Sequence, residues 1–123
     1  MLNVLKTPRG LTAAAVFVAS FIMYILTMAQ TTSFWDCGEF IACSYTLGIP
    51  HPPGSPLYIL AGRIFSIIPT EMVAQLFMSA EEIKFVMPEG HEIGWRVNLM
   101  SPILSAFSAM FTFLIIVRLL EMW

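Results

Sequence analysis

Two long apolar runs dominate the hydropathy pattern of the chain. Residues 11–29 form an uncharged stretch of 19 residues, and residues 99–117 form a second one of the same length. As helices at 1.5 Å per residue, each would be about 28 Å long, close to the thickness of the hydrocarbon core of a bilayer. The pattern predicts an all-α membrane protein with two transmembrane helices, over residues 11–30 and 96–118.

Both predicted spans carry small residues four positions apart. These are Ala15 and Ala19 in the first span, and Ser101, Ser105 and Ala109 in the second. The spacing lets helix backbones approach closely in lipid. We therefore expect the spans to pack against other helices, although small residues are also common in membrane helices without such a role.

The first span must be distinguished from a cleaved signal peptide. Thr27, Met28 and Ala29 loosely resemble a cleavage site, and Lys6 and Arg9 resemble the basic region that precedes the apolar part of such peptides. An apolar run of 19 residues exceeds the usual length of that part. The length favours a retained membrane anchor.

Basic residues set the expected orientation. Lys6 and Arg9 flank the first span closely, whereas residues 31–95 hold two basic residues against seven acids. The positive-inside rule then places residues 1–10 and 119–123 in the cytoplasm. Residues 31–95 become an outer loop, and we expect a multipass protein of the inner (cytoplasmic) membrane with this loop on the periplasmic side.

The predicted outer loop is too apolar to be a simple linker. Residues 57–68 are apolar apart from Arg63 and end at Pro69, so they are short for a span and favour an interfacial or re-entrant helix. The alternative is a kinked span that continues through Phe77. Residues 79–95 carry four acids and a turn signal, which predicts solvated surface.

Composition supports a membrane protein and excludes some partners. The 123 residues are 58% hydrophobic and 11% charged, with a mean hydropathy of +0.80 and a net charge of −2. Because the six basic residues are scattered, nucleic acid is not expected as a partner. Cys37 and Cys43 fit neither a redox pair nor a zinc clip, and we expect them to be small buried residues.

Two carboxylates, Asp36 and Glu39, lie three residues apart in the stretch that starts the loop. On a helix they share one face despite their like charge. One interpretation is that Asp36 caps the helix and Glu39 completes a capping box. The other is that the pair binds a metal or a sugar, or takes a proton from an attacking hydroxyl, with one carboxylate raising the pKa of the other.

The segment after this helix contains four prolines between Pro50 and Pro56. Proline fixes φ and removes a hydrogen-bond donor, so the segment is a stiff turn between two helices. His51 lies between two of these prolines. It is either simply solvated or held toward the site, as a donor to a phosphate or a partner to a carboxylate.

These motifs together resemble one known family. The stretch FWDCGEFIACSYTLGIPHPPGSPLY, then GRIFSIIP and WRVNLMSPILSAF, is similar to the amino-terminal part of the DUF2723 family of multipass membrane proteins. That family includes TMEM260-type protein O-mannosyltransferases and many large membrane proteins of Bacteroidetes. The ordered combination of D-x-G-E, H-P-P-G and R-V-N-L carries the resemblance.

The resemblance implies a membrane glycosyltransferase of the GT-C type. Such enzymes move a sugar from a polyprenyl-phosphate donor to a protein or glycan hydroxyl on the outer face. Carried over by motif, Asp36 is the expected catalytic base and Glu39 its acidic companion, with His51, Arg96 and Arg63 as candidates for substrate binding. Carboxylates placed in this way are also ligands for magnesium or manganese, so a divalent metal stays open.

The resemblance covers only the beginning of the family's proteins. We therefore expect the chain to be an amino-terminal portion that needs other transmembrane helices or subunits, and to be inactive in sugar transfer by itself. Two other functions stay open. One is a non-catalytic membrane subunit, and a weaker one is a transport component in which Asp36 and Glu39 bind an ion.

Overall fold

The computed structural model describes residues 7–70, 72, 75, 79, 81, 83 and 92–123. Over these residues the chain forms five helices and no strand, which are α1 (Pro8–Thr27), α2 (Cys37–Thr46), α3 (Pro56–Ile67), α4 (Glu92–Asn98) and α5 (Met100–Glu121). They belong to two compact units. The span unit contains the described residues up to Met28 together with Ser101–Trp123, and the loop unit is Ala29–Met100.

Two helical stretches are long and apolar enough to cross a membrane. They are Pro8–Thr27, with 20 residues and a mean hydropathy of 2.0, and Glu92–Glu121, with 30 residues and 2.2. Only 11% and 6% of their apolar windows are buried inside the chain. A helix in the core of a soluble protein would be mostly buried, so these apolar surfaces face outward, as membrane helices do. The predicted fold class is confirmed.

The span unit pairs α1 with α5 in opposite directions. Arg9, at the start of α1, forms an ion pair with Glu121, at the end of α5. Farther along, the rings of Phe17 and Phe107 lie 4.7 Å apart between centroids. Because α1 residue numbers rise while those of α5 fall, the two helices form an antiparallel hairpin.

The predicted small residues are not the most buried ones in this hairpin. Ala15, Ala19 and Ser101 are exposed, and Ser105 and Ala109 are partly buried. The small residues that are buried in the span unit are instead Gly10, Ala13 and Ala106. The two sets differ because every helix has several faces, and spacing alone does not say which of them meets the neighbouring helix.

The loop unit places α2 and α3 side by side and parallel. Three pairs of residues show this: Phe40 with Tyr58 by ring contact, Ser44 with Gly62 by close packing, and Tyr45 with Arg63 by a hydrogen bond. The separation along the chain is 18 residues in each pair, so both helices advance together. Parallel neighbours require the chain between them to travel back, and this return segment is residues 47–55.

The close packing of α2 and α3 depends on Gly62. A Cβ atom at that position would lie 2.3 Å from the Ser44 Oγ and 2.8 Å from its Cβ. Ser44 and Val97, which both lie next to Gly62, are completely buried, and the Ser44 hydroxyl finds no hydrogen-bond partner among the described residues. The absence of a side chain at position 62 therefore sets how near the two helices come.

The outer face of α3 is apolar as well. Its buried side contains Ile59, Gly62 and Ser66, whereas large apolar side chains stay exposed on the other side, at Leu57, Leu60, Ile64 and Ile67. The helix ends at Ile67, after 12 residues. Most of the predicted continuation through Phe77 falls outside the described residues.

Several other predictions concern the second half of the loop unit. Of residues 79–95, Ser79 and Glu81 are exposed as predicted, whereas Ile83 and Trp95 are buried, and most of the rest falls outside the described residues.

The side-chain amide of Asn98 donates to the carbonyls of Ala29 and Thr31, at 2.9 and 3.0 Å, and so holds α4 against the start of the unit.

Cys37 and Cys43 are free thiols. Both are partly exposed, so their predicted burial is wrong. Each lies on α2 and only part of that helix faces α3, so the remaining positions keep some access to solvent.

We expect Gly62→Ala to destabilise the loop unit by about 1 to 3 kcal/mol, because the new methyl group overpacks against Ser44. Gly94→Ala is the matched control, since its Cβ would meet nothing nearer than 3.5 Å. Thermal unfolding in detergent, followed by tryptophan fluorescence, measures the difference. Adding Ser44→Gly should restore stability, and equal stability of the two single variants would contradict the account.

Candidate functional site

Three of the predicted site residues come together at the start of α2. Asp36 is the residue before the helix, Glu39 lies in its first turn, and His51 arrives from the return segment. Their side chains are 48%, 39% and 51% exposed, respectively. The group is open to solvent at one end of the helix pair.

Glu39 binds His51 through both of its carboxylate oxygens. Oε1 accepts the backbone N–H of His51 at 2.8 Å, and Oε2 lies 2.7 Å from Nδ1 of the ring. Proline neighbours on either side stiffen the segment that presents His51. These two hydrogen bonds attach the return segment to α2.

The capping interpretation of the two carboxylates is wrong. Asp36 occupies the N-cap position, yet its side chain makes no capping hydrogen bond. Glu39 stands where a capping box would need it, but its oxygens bind His51. Glu39 therefore binds the return segment, Asp36 is open to solvent, and neither side chain caps the helix.

His51 also decides the electrostatics of the group. The side-chain and backbone hydrogen bonds from His51 lower the pKa of Glu39. The hydrogen bond to Glu39 and its negative charge raise the pKa of His51, with a smaller contribution from Asp36. The expectation that one carboxylate raises the pKa of the other is wrong for Glu39, because its hydrogen bonds with His51 lower its pKa.

Asp36 is the carboxylate that stays available. Its Oδ2 lies 3.9 Å from Nε2 of His51, which is too long for a hydrogen bond. Glu39 and Asp36 therefore differ in what they can do, although both belong to the same motif. Glu39 is hydrogen-bonded to His51, whereas Asp36 can accept a proton, or a hydrogen bond from a hydroxyl group.

The three residues are also of the types that bind metal ions, and their ligand atoms lie within 4.8 Å of one another. However, the two Glu39 oxygens and Nδ1 of His51 are occupied by their mutual hydrogen bonds. Asp36 and Nε2 make no such hydrogen bond, and each Glu39 oxygen keeps a second lone pair, so a divalent ion would share the Glu39 carboxylate with His51. A metal at this position stays an expectation from the sequence.

A pocket of about 380 Å³ adjoins Asp36. Aromatic rings form much of its wall, together with polar groups, and its lining is Phe34, Trp35, Asp36, Cys37, Phe40, Ser55 and Tyr58. Trp35 is 94% exposed and has a φ of 65°, a backbone region that bulky residues rarely adopt. Strain of this kind tends to occur at functional sites.

Sequence reasoning missed this aromatic wall. The signal was present, since Phe34 and Trp35 come directly before Asp36. Phe40 and Tyr58 could not be added from the sequence, because their edge-to-face contact, with ring centroids 5.2 Å apart, depends on how α2 packs against α3.

The two predicted arginines do not join the group. The Arg63 guanidinium donates to the carbonyl of Tyr45 and lies over its ring, with 5.5 Å to the centroid. Tyr45 is nine residues beyond Asp36, which is about 13 Å along a helix. Arg96 donates from Nε to the Thr70 hydroxyl at 3.0 Å.

Arg96 also reaches the carbonyl of Ser66 at 3.4 Å, near the end of α3. Because α2 and α3 are parallel, this end lies with Tyr45 and away from the beginning of α2. Substrate binding by Arg63 and Arg96 stays a prediction, and the geometry separates both from Asp36.

Comparison with known proteins identifies the chain's relatives. The profile of the protein O-mannosyl-transferase TMEM260 N-terminal domain matches residues 36–81 and 74–123. Protein O-mannosyl-transferase tmem260 of Dictyostelium discoideum is 26% identical over 113 residues, which are 91% of this chain and 12% of that protein. Protein O-mannosyl-transferase TMEM260 of Mus musculus is 29% identical over 108 residues, which are 87% and 12%.

The chain therefore spans about 12% of the length of these curated relatives. No solved structure matches it. The matched region contains the whole group of Asp36, Glu39 and His51. The predicted resemblance to TMEM260-type proteins is confirmed, whereas the resemblance to proteins of Bacteroidetes stays a prediction. The chain belongs to the family defined by the protein O-mannosyl-transferase TMEM260 N-terminal domain.

Proposed function

We propose that this chain provides the catalytic amino-terminal part of a membrane glycosyltransferase, which moves a sugar from a polyprenyl-phosphate donor to a hydroxyl of a protein or glycan. The observation that carries the proposal is the available carboxylate of Asp36 beside an aromatic pocket, in a family whose relatives are called protein O-mannosyl-transferases. From those names, mannose is the sugar to test first.

In the proposed reaction Asp36 is the general base. A serine or threonine hydroxyl is a poor nucleophile at neutral pH, and a carboxylate within about 2.6 to 3.2 Å can take its proton as the new C–O bond forms. The bond from the anomeric carbon to the phosphate breaks, and its electron pair stays on the phosphate. Direct displacement inverts the anomeric carbon.

The pocket next to Asp36 suits the sugar ring. Aromatic faces such as that of Trp35 offer apolar surface to the C–H side of a pyranose, while Asp36 and Ser55 offer oxygen partners to its hydroxyls. Phe34 and Trp35 are almost fully exposed, so their apolar faces are open to a ligand. A bound sugar would cover part of this surface.

The membrane positions the site in this proposal. The span unit crosses twice with its ends in the cytoplasm, and the loop unit lies on the outer side, where it is periplasmic if the membrane is the inner membrane of a bacterium. The exposed apolar residues Leu57, Leu60 and Ile64 favour a location of α3 at the lipid boundary. The phosphate of a lipid-linked donor lies at the same depth.

A non-catalytic subunit is the second candidate, and one observation favours it. Ala15 and Ala19 stay exposed on α1, so a small-residue face of the span unit is open to further helices. Under this alternative, substitution of Asp36 changes nothing, whereas Ala15→Leu together with Ala19→Leu prevents assembly.

We expect Asp36→Asn to reduce sugar transfer by about 10²- to 10⁴-fold, because the amide cannot accept the hydroxyl proton. The assay uses membranes from cells that express the chain within its complete reading frame, with polyprenyl-phosphate mannose as donor. Glu81→Gln is the control, since Glu81 is an exposed carboxylate outside the group. Undiminished transfer by Asp36→Asn membranes with normal protein levels would rule out Asp36 as the base.

We expect Trp35→Ala to raise the KM for the donor about tenfold, because the pocket loses a wall that packs against the sugar. Trp35→Phe should retain most of the affinity. Ile49→Ala removes a comparably exposed apolar side chain that does not line the pocket, so it should leave the KM unchanged. Equal effects of Trp35→Ala and Ile49→Ala would contradict a specific role for the pocket.

The proposed orientation can be tested with a thiol reagent that does not cross membranes. In a Cys43→Ser background, the partly exposed Cys37 should react in cells whose outer layers admit the reagent but whose inner membrane stays closed. A cysteine placed at Thr7, with the native cysteines removed, should react only after the membrane is permeabilised. The reverse pattern would invert the topology.

A further inference from the structure

Transfer from a lipid phosphate leaves negative charge on the departing phosphate, and a cation near Asp36 would stabilise it. The arginines do not, since Arg63 binds the Tyr45 carbonyl and Arg96 binds Thr70 and Ser66. Among the described residues of the loop unit, His51 is the remaining side chain that can become positively charged. It lies in the group itself.

The geometry of His51 suits such a role. The contact of Nδ1 with Glu39 at 2.7 Å makes Nδ1 the donor, because an ionised carboxylate can only accept. The other nitrogen, Nε2, is directed toward the Asp36 side and makes no hydrogen bond to it at 3.9 Å. The ring also has an edge contact with Phe40, with 6.2 Å between centroids.

We propose that His51 is a catalytic residue that binds the phosphate of the lipid-linked donor through Nε2–H, and that Glu39 is the positioning residue that holds it. The inference rests on the proposed function and deepens it. Asp36 takes the proton of the acceptor hydroxyl as the C–O bond forms. Nε2–H donates a hydrogen bond to the phosphate oxygen that receives the electron pair of the broken bond, and keeps its proton.

The arrangement divides the D-x-G-E motif into two functions. If Glu39 only orients His51, it affects the reaction through the position and the pKa of the imidazole. Glu39 accepts two hydrogen bonds from His51 and has no remaining oxygen free of them. Asp36, three residues earlier, makes no hydrogen bond to the imidazole and faces the pocket.

The proposal predicts a particular pH dependence. Among the described residues, the titratable groups around the ring are Glu39 and Asp36, with Cys37 and Tyr58 in the wall of the neighbouring pocket. Glu39 raises the pKa of His51, so the imidazolium persists to higher pH than it would alone. Removing the charge of Glu39 lowers the pKa of His51. The alkaline limb of the activity profile then moves to lower pH.

The test is Glu39→Gln in the complete reading frame, assayed across pH with polyprenyl-phosphate mannose. We expect Glu39→Gln to stay active on the acid side of the alkaline limb and the limb itself to move to lower pH, because the pKa of His51 falls when the charge of Glu39 is removed. Glu81→Gln should leave the limb where it is. His51→Gln should raise the KM for the donor more than that for the acceptor.

A second measurement does not depend on transfer. NMR titration of the purified 123-residue chain in detergent, with His91→Gln to leave one histidine, gives the pKa of His51 directly. It should lie above the ordinary value of about 6.5 and fall when Glu39→Gln is added.

The possible outcomes separate the two proposals. Absence of transfer in the unaltered protein would refute the proposed function. If the unaltered protein is active, an unmoved alkaline limb in Glu39→Gln overturns the positioning role alone. Loss of activity at every pH overturns it as well, since Glu39 would then be a reacting group.

Discussion

The two hydrogen bonds between Glu39 and His51 are the interaction on which the site depends. The chain leaves α2 at Thr46 and must return along it before α3 can begin, because the two helices are parallel. Glu39 captures the return segment as it passes the start of α2. One carboxylate thereby closes the loop and fixes the imidazole. Asp36 is left as the carboxylate that makes no hydrogen bond to the ring.

The second constraint is the close packing of α2 and α3 at Gly62 and Ser44. This contact lies away from the group of Asp36, Glu39 and His51. Gly62 lets the backbone of α3 approach Ser44, and this contact sets the register of the helices. The same register brings Tyr58 beside Phe40 near Asp36, and Arg63 beside Tyr45 at the other end. Packing therefore decides which chemical groups meet.

The extent to which the site could be predicted follows from these two constraints. Asp36 and Glu39 are near in sequence, so a helix alone brings them together, and the stiff proline segment made His51 a reasonable third member. Arg63 and Arg96 were plausible by chemistry, but their positions depend on long-range packing that no local pattern encodes. The same holds for the face of α1 that is buried, where the predicted Ala15 and Ala19 are exposed.

The sequence by itself determined the two long apolar helices, the absence of strands in the described residues, and the residue types of the group. Each of these follows from local properties, namely the length of an apolar run, helical spacing and the stiffness of proline. Only the tertiary structure decided that Glu39 binds His51, that Asp36 remains available beside an aromatic pocket, and that both arginines lie elsewhere. These depend on contacts between residues far apart in the chain, which exist only once the helices have packed.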